Sequence, residues 1–166
     1  MAGRPAGSPQ EELSLVRAGG QAPAFALSNQ HAEIVRRDDL LGAPALLVFF
    51  PLVLTPVCEG ELEALVARQP AWDAWGARVV GLSVDHRYSL RDAADRLGVG
   101  FDLLSDFWPH GDVARAFGCF DHERGHATRQ SFVLDAAGRV ARVISSSREQ
   151  PRDAEDYEAA LRALTE

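Results

Sequence analysis

Two rhythms of apolar residues run along the chain. The first is the unbroken run. "ALLVFF", Ala45–Phe50, stops at Pro51. A continuous apolar stretch of this length suits a strand buried on both faces. Pro51 cannot donate to a ladder and so ends the strand. "ARVVGLSVD" predicts a second strand over Val79–Val84, and "FDLLSD" a shorter one. "FALSNQ" and "EIVRRDDL" read as short strand pieces around a turn, and "SFVLDAAGRVARVI" as a hairpin, two apolar strands around "DAAG".

The second rhythm is helical. Leu62, Leu65 and Val66 recur at i, i+3, i+4 and make a core-facing stripe. Thr55 is the natural N-cap of that helix, and Pro56 fits its first turn, where a missing N–H costs nothing. Pro70 is expected to kink or end it. "SLRDAADRLG" predicts a short helix, with Ser89 and Asp92 at capping-box spacing and Gly98 as its stop. "DVARAFG" gives a helical turn or two. "DAEDYEAALRAL" is a final amphipathic helix with Tyr157, Leu161 and Leu164 on one side.

The order β-α-β-α-β-β-α is that of an α/β protein, a mixed central β-sheet with helices on both faces. It resembles a thioredoxin-like fold. At 166 residues the chain has room for one sizeable core. Residues 1–20, rich in Gly, Pro, Ala and charge, read as an N-terminal extension that is in part flexible. Residues 21–166 read as a single domain.

Composition narrows the function classes. The net charge is -7 and every one of the 17 basic residues is arginine. An acidic chain with no basic stripe is a poor nucleic-acid binder. No apolar run approaches the roughly 20 residues that cross a bilayer. "AGSPQEEL" after Arg4 lacks the apolar core of a signal peptide, so the expected location is cytoplasmic. Two cysteines argue against a disulfide scaffold and for reactive or merely buried thiols.

Cys58 is the residue that a plain strand–helix connection does not need. It falls in the first turn of the predicted helix, where unpaired N–H groups and the helix dipole favour a thiolate. Thr55 lies three residues before it and Glu61 three after, one turn up the same face. A carboxylate beside a thiolate makes sense if a cation lies between them, and Arg129, just before "SFVL", is the candidate. Taken singly, each has a plainer reading. Cys58 is an inert buried thiol, Arg129 a solvated strand-end cation, Pro51 a strand terminator, and Glu61 an exposed helix carboxylate.

The combination resembles a known family. Pro51-x-x-x-Thr55-x-x-Cys58 is similar to the active-site signature of peroxiredoxins, and "TRQSFVLD" to their later arginine segment. The likeness runs from "APAFALSNQ" to "DAAGRV", most of the chain. "SDFWPHG" and "FGCFDHERG" resemble the alkyl hydroperoxide reductase E type, a one-cysteine branch of that family. The resemblance implies a thiol-specific peroxidase that uses no metal, flavin or haem. Its substrates are hydrogen peroxide, alkyl hydroperoxides or peroxynitrite, and its roles antioxidant defence and redox homeostasis. It makes Cys58 the peroxidatic cysteine, has Thr55 and Arg129 bind the peroxide oxygens, has Pro51 shield the sulfur and has Glu61 orient Arg129. It also implies an external thiol reductant (a thioredoxin or glutaredoxin-like protein, or a low-molecular-weight thiol) and a homodimer. The alternatives are a thiol–disulfide oxidoreductase, for which the second cysteine of a Cys-x-x-Cys is missing at Glu61, and a redox-sensing or chaperone-like binding protein.

An activated thiolate alone does not make a fast peroxidase. Lowering a thiol pKa from about 8.5 to about 6 raises its thiolate fraction at pH 7 from roughly 3% to roughly 90%. Nucleophilicity falls with pKa at a slope of about 0.4–0.5, which removes about tenfold again. Most of the acceleration must come from fixed donors and alignment.

Other residues stay open. Cys119 in "FGCF" is either a resolving cysteine or a buried small side chain among Phe117 and Phe120. The common resolving position five residues after Cys58 is Glu63. His122 and His126 have metal-like spacing but no convincing third ligand. Trp108, with Phe107, marks either local packing or a subunit interface. His110 belongs to the pocket rim or to a dimer contact, and His31 and His86 to the surface.

Overall fold

The computed structural model of the chain describes residues 16–166, so part of the predicted N-terminal extension lies outside the described residues. The elements are β1 (Ala26–Ser28), β2 (Ile34–Arg36), a short 3-10 turn (Arg37–Leu40), β3 (Ala45–Phe49), α1 (Pro56–Ala74), β4 (Arg78–Ser83), α2 (Arg87–Leu97) and β5 (Asp102–Ser105). They continue with α3 (Asp112–Ala116), β6 (Phe120–Asp121), β7 (His126–Ala127), β8 (Gln130–Leu134), β9 (Val140–Ser145) and α4 (Ala154–Thr165).

Seven strands form one mixed sheet in the order β2-β1-β5-β4-β3-β8-β9, and β6 pairs with β7 in a separate ribbon. β3, the predicted doubly buried strand, is buried at every position and lies between β4, parallel, and β8, antiparallel. Its alternate side chains feed two cores. Leu46 and Val48 join Leu62, Leu65 and Trp72 of α1, Leu90 of α2, and Tyr157 and Leu161 of α4. Leu47 and Phe49 join Val113 and Ala114 of α3, Phe117, Cys119, Phe120 and the N-terminal Phe25. Helices cover both faces, three on one and the short α3 on the other.

Two sequence expectations change, and one small element goes beyond them. α1 does not end at Pro70 but continues to Ala74. The missing N–H and the ring clash are local costs, and Trp72, fully buried against the edge of Tyr157, holds the last turn in place. α2 starts at Arg87, with His86 as the N-cap accepting from Tyr88 N, so Ser89 lies inside the helix. The β6–β7 ribbon was not read from the sequence because two-residue strands have no periodicity to detect. Gly98 does stop α2, in the left-handed conformation at φ 69°.

Candidate active site

The sheet register assembles the site. Val48 near the end of β3 pairs with Ser131 near the start of β8. The chain before β8 therefore arrives beside the loop that leads from β3 into α1. Arg129 stands on the first of these segments and Cys58 in the opening turn of α1. Asp85 fixes the loop between, its Oδ2 accepting from Val53 N at 3.0 Å and from Ser83 Oγ at 2.7 Å. Pro51, buried, opens this loop.

Cys58 has 0% exposure. Arg129 Nη1 donates to its sulfur at 3.3 Å. The same nitrogen donates to Glu61 Oε1, and Arg129 Nε donates to the Arg148 carbonyl at 2.8 Å. All three side chains are buried. Glu61 is thus no exposed helix carboxylate, and Arg129 no solvated strand-end cation.

A second guanidinium completes the cluster, and no sequence signal singled it out. Arg152, just before α4, donates Nε to Glu61 Oε2 at 2.8 Å and Nη2 to Oε1 at 3.0 Å, a bidentate pair. Its backbone N–H also donates to Oε2 at 2.9 Å. Its Nη1 donates to the Phe49 carbonyl at 2.8 Å and to Ser131 Oγ at 3.0 Å, and Ser131 meets Tyr157 OH at 2.8 Å. Burial pushes the Tyr157 phenol up, so it stays neutral. Arg152 also lies 5.3 Å from the Phe50 ring centroid. The only cue in the sequence is an arginine one residue before the N-cap Asp153, and such a residue is usually exposed.

Thr55 is the N-cap by position, its carbonyl accepting from Glu59 N at 2.9 Å. Its hydroxyl makes no capping bond and donates to the Leu52 carbonyl at 2.8 Å instead. Thr55 and Arg129 open onto a cleft of about 360 Å³ that is also lined by Pro51, Leu52, Pro56, Val57, His126, Arg148 and Glu149. Its wall is apolar along Pro51, Leu52, Pro56 and Val57 and charged at Arg129, Arg148 and Glu149.

The fold does not bring Cys119 to Cys58. Cys119 packs with Phe117, Phe120 and Ala127 in the core on the opposite face of the sheet. Burial pushes its thiol far up, helped by the charge of Asp106 and opposed by that of Arg152. Trp108 and His110 are exposed, and His110 Nε2 donates to the Gly125 carbonyl at 2.6 Å, away from the cleft lining. Among the described residues no three His, Cys, Asp or Glu side chains converge as a metal set.

Comparison with known proteins gives the family and the fold. The AhpC/TSA family model matches residues 18–143. The chain is 36% identical over 152 residues to alkyl hydroperoxide reductase E of Mycobacterium tuberculosis, covering 91% of this chain and 99% of that protein. It is 30% identical over 138 residues to peroxiredoxin Bcp of Escherichia coli, covering 80% and 87%. Among solved structures, peroxidoxin BcpB of M. tuberculosis superposes with a TM-score of 0.80 at 29% identity, covering 90% of this chain and 98% of that one. AhpC of Enterococcus faecalis superposes at 0.83 with 24% identity, covering 90% and 92%, a likeness of fold. The sheet and its helices are the thioredoxin-like arrangement that these structures share.

Proposed function

Because the chain belongs to the AhpC/TSA family and is a thiol-dependent peroxidase of the peroxiredoxin type, we propose that Cys58 is its peroxidatic nucleophile and that Arg129, Glu61, Thr55 and Pro51 build the site around it. The observation that carries this reading is the 3.3 Å bond from Arg129 Nη1 to the Cys58 sulfur, made by a guanidinium that Glu61 holds in place.

The reaction forms a bond between the sulfur and the near oxygen of the peroxide and breaks the O–O bond. Sulfur loses two electrons, the peroxide gains two, and Cys58 becomes a sulfenic acid. Arg129, fixed beside the sulfur, can donate to the departing oxygen as charge moves there, stabilisation from a donor already held in place. Thr55 already donates its hydrogen to Leu52. It therefore offers lone pairs to a peroxide O–H and fixes the direction of approach. Glu61, Arg129 and Arg152 sum to one positive charge, which a thiolate at position 58 neutralises.

Hydrogen peroxide, alkyl hydroperoxides and peroxynitrite are the proposed substrates. Pro51, Leu52, Pro56 and Val57 along the cleft suit an alkyl group on the hydroperoxide. With Cys119 behind the sheet, the sulfenic acid falls to an outside thiol, either a thioredoxin or glutaredoxin-like protein or a low-molecular-weight thiol. The proposed compartment is the cytoplasm, which keeps two unpaired thiols reduced. The proposed assembly is a homodimer through the exposed Phe107–Trp108 patch, with His110 at its edge. The direct test is single-turnover peroxide reduction by Cys58→Ser. Loss of the fast phase is expected, and a variant as fast as wild type overturns the reading.

A further inference from the structure

We infer that His126 gives the departing oxygen its proton, a role that rests on Cys58 being the nucleophile. The reaction releases an alkoxide or hydroxide, and a strong base of this kind leaves far faster when a positioned acid protonates it. The candidates are the groups that line the recesses shared by Arg129, whose Nη1 reaches the sulfur, and Pro51. Arg129 and Arg148 are guanidiniums, which stabilise charge but do not give up a proton. Glu149 and Asp121 carry carboxyl groups, a side-chain class ordinarily ionised at neutral pH. Asp121 is kept so by the backbone and side chain of Arg124, which outweigh its burial. Thr55 carries a hydroxyl too weakly acidic to act alone, and its hydrogen is already donated to Leu52. Imidazole is the side chain that exchanges a proton between pH 5 and 8.

His126 lines both recesses. One is the cleft of about 360 Å³ that Thr55, Pro51 and Arg129 share. The other, about 140 Å³, lies between Pro51, Arg129, Asp121 and Arg148. Its ring is oriented, with Nδ1 2.9 Å from the Ala127 carbonyl. A carbonyl only accepts, so Nδ1 keeps its hydrogen in either charge state and Nε2 is the position that gains and loses a proton. The side chain is half-buried, so it can take its proton back from water. The charged groups around it are Asp121, its partner across the β6–β7 ribbon, and Arg129, Arg148 and Glu149 along the recesses.

The step balances. The thiolate attacks, the O–O bond breaks, and its electron pair leaves with the far oxygen. The Nε2 proton of imidazolium moves to that oxygen, releasing water or an alcohol, while the near oxygen stays on sulfur with its own hydrogen. Neutral imidazole is then reprotonated from solvent.

The experiment compares leaving groups in single turnover. For His126→Gln, reduction of hydrogen peroxide and tert-butyl hydroperoxide should slow by about 100-fold, whereas a peroxycarboxylic acid, whose carboxylate leaves without a proton, should change by no more than about threefold. His126→Ala should regain rate with added imidazole, which covers the case of a Gln variant that folds poorly. An equal loss on all three peroxides, no loss on any, or no rescue by imidazole overturns the inference. Such results leave Cys58 intact, because only an active Cys58→Ser would remove the nucleophile itself.

Discussion

Arg129 Nη1 lies 3.3 Å from the sulfur of Cys58, across 71 residues of chain. The same nitrogen serves Glu61, so the carboxylate sets the angle at which the guanidinium meets sulfur. Lysine in its place carries the charge on a flexible stem and cannot hold Arg148, Glu61 and sulfur from one plane. Arg129→Lys should lower the single-turnover rate by about 10²–10³, in line with removal of one fixed donor. The loss should exceed what the change in thiolate fraction, followed by thiolate absorbance against pH, accounts for. A rate that tracks thiolate fraction alone contradicts the positioning role.

Arg152→Ala should cost stability as well as rate. It strips Glu61 of its bidentate partner inside the protein, and breaking a buried pair from one side typically costs about 3–5 kcal/mol. A denaturant titration should show the midpoint shift, and Arg152→Ala/Glu61→Gln should recover part of it. A single variant within about 1 kcal/mol of wild type argues against a buried pair.

Cys119 should take no part in turnover. After one equivalent of peroxide, intact-mass measurement should find a single added oxygen in both wild type and Cys119→Ser. A wild-type loss of two hydrogens, absent from the variant, would mean that the fold opens far enough to join the two faces of the sheet.

Asp106 predicts a pH signature in stability. The carboxyl is buried beneath α3, where it accepts from Val113 N at 3.0 Å and Ala114 N at 2.9 Å. Burial pushes its titration up, more than these bonds pull it down. The folded state therefore keeps a proton that the unfolded chain has released, and this contribution to stability is lost as pH rises through the folded titration. Measured against Asp106→Asn, wild type should lose stability from about pH 4 upward and level off once the carboxyl is ionised. A difference that stays flat over that range contradicts the assignment.

Trp108 is 80% exposed beside the exposed Phe107. If this patch joins two subunits, Trp108→Ala should shift sedimentation towards the monomer at low micromolar concentration. An unchanged assembly would move the interface elsewhere.

What the sequence made legible follows from the range of each signal. β3, the start of α1 and the β8–β9 hairpin were readable because apolar runs, a proline in a first turn and turn residues act locally. Cys58, Thr55 and Glu61 came with them, sharing one helix start. Arg129 was reachable because it adjoins a recognisable strand. Arg152 was not, since its role depends on how α4 docks against α1 and β8. The direction of the Thr55 hydroxyl was also hidden, because a threonine at a helix start can cap it or bond backward to its own loop. Pro70 misled because its local cost was weighed without the burial of Trp72 that follows it.

The long span between Glu61 and Arg152, 91 positions, bears on biosynthesis. At about 5–20 residues per second a ribosome needs several seconds to pass from one to the other. For most of that interval the nascent chain carries its thiol and carboxylate without Arg129, and for all of it without Arg152. The pocket around the thiol is thus completed only once α4 has been made and can dock.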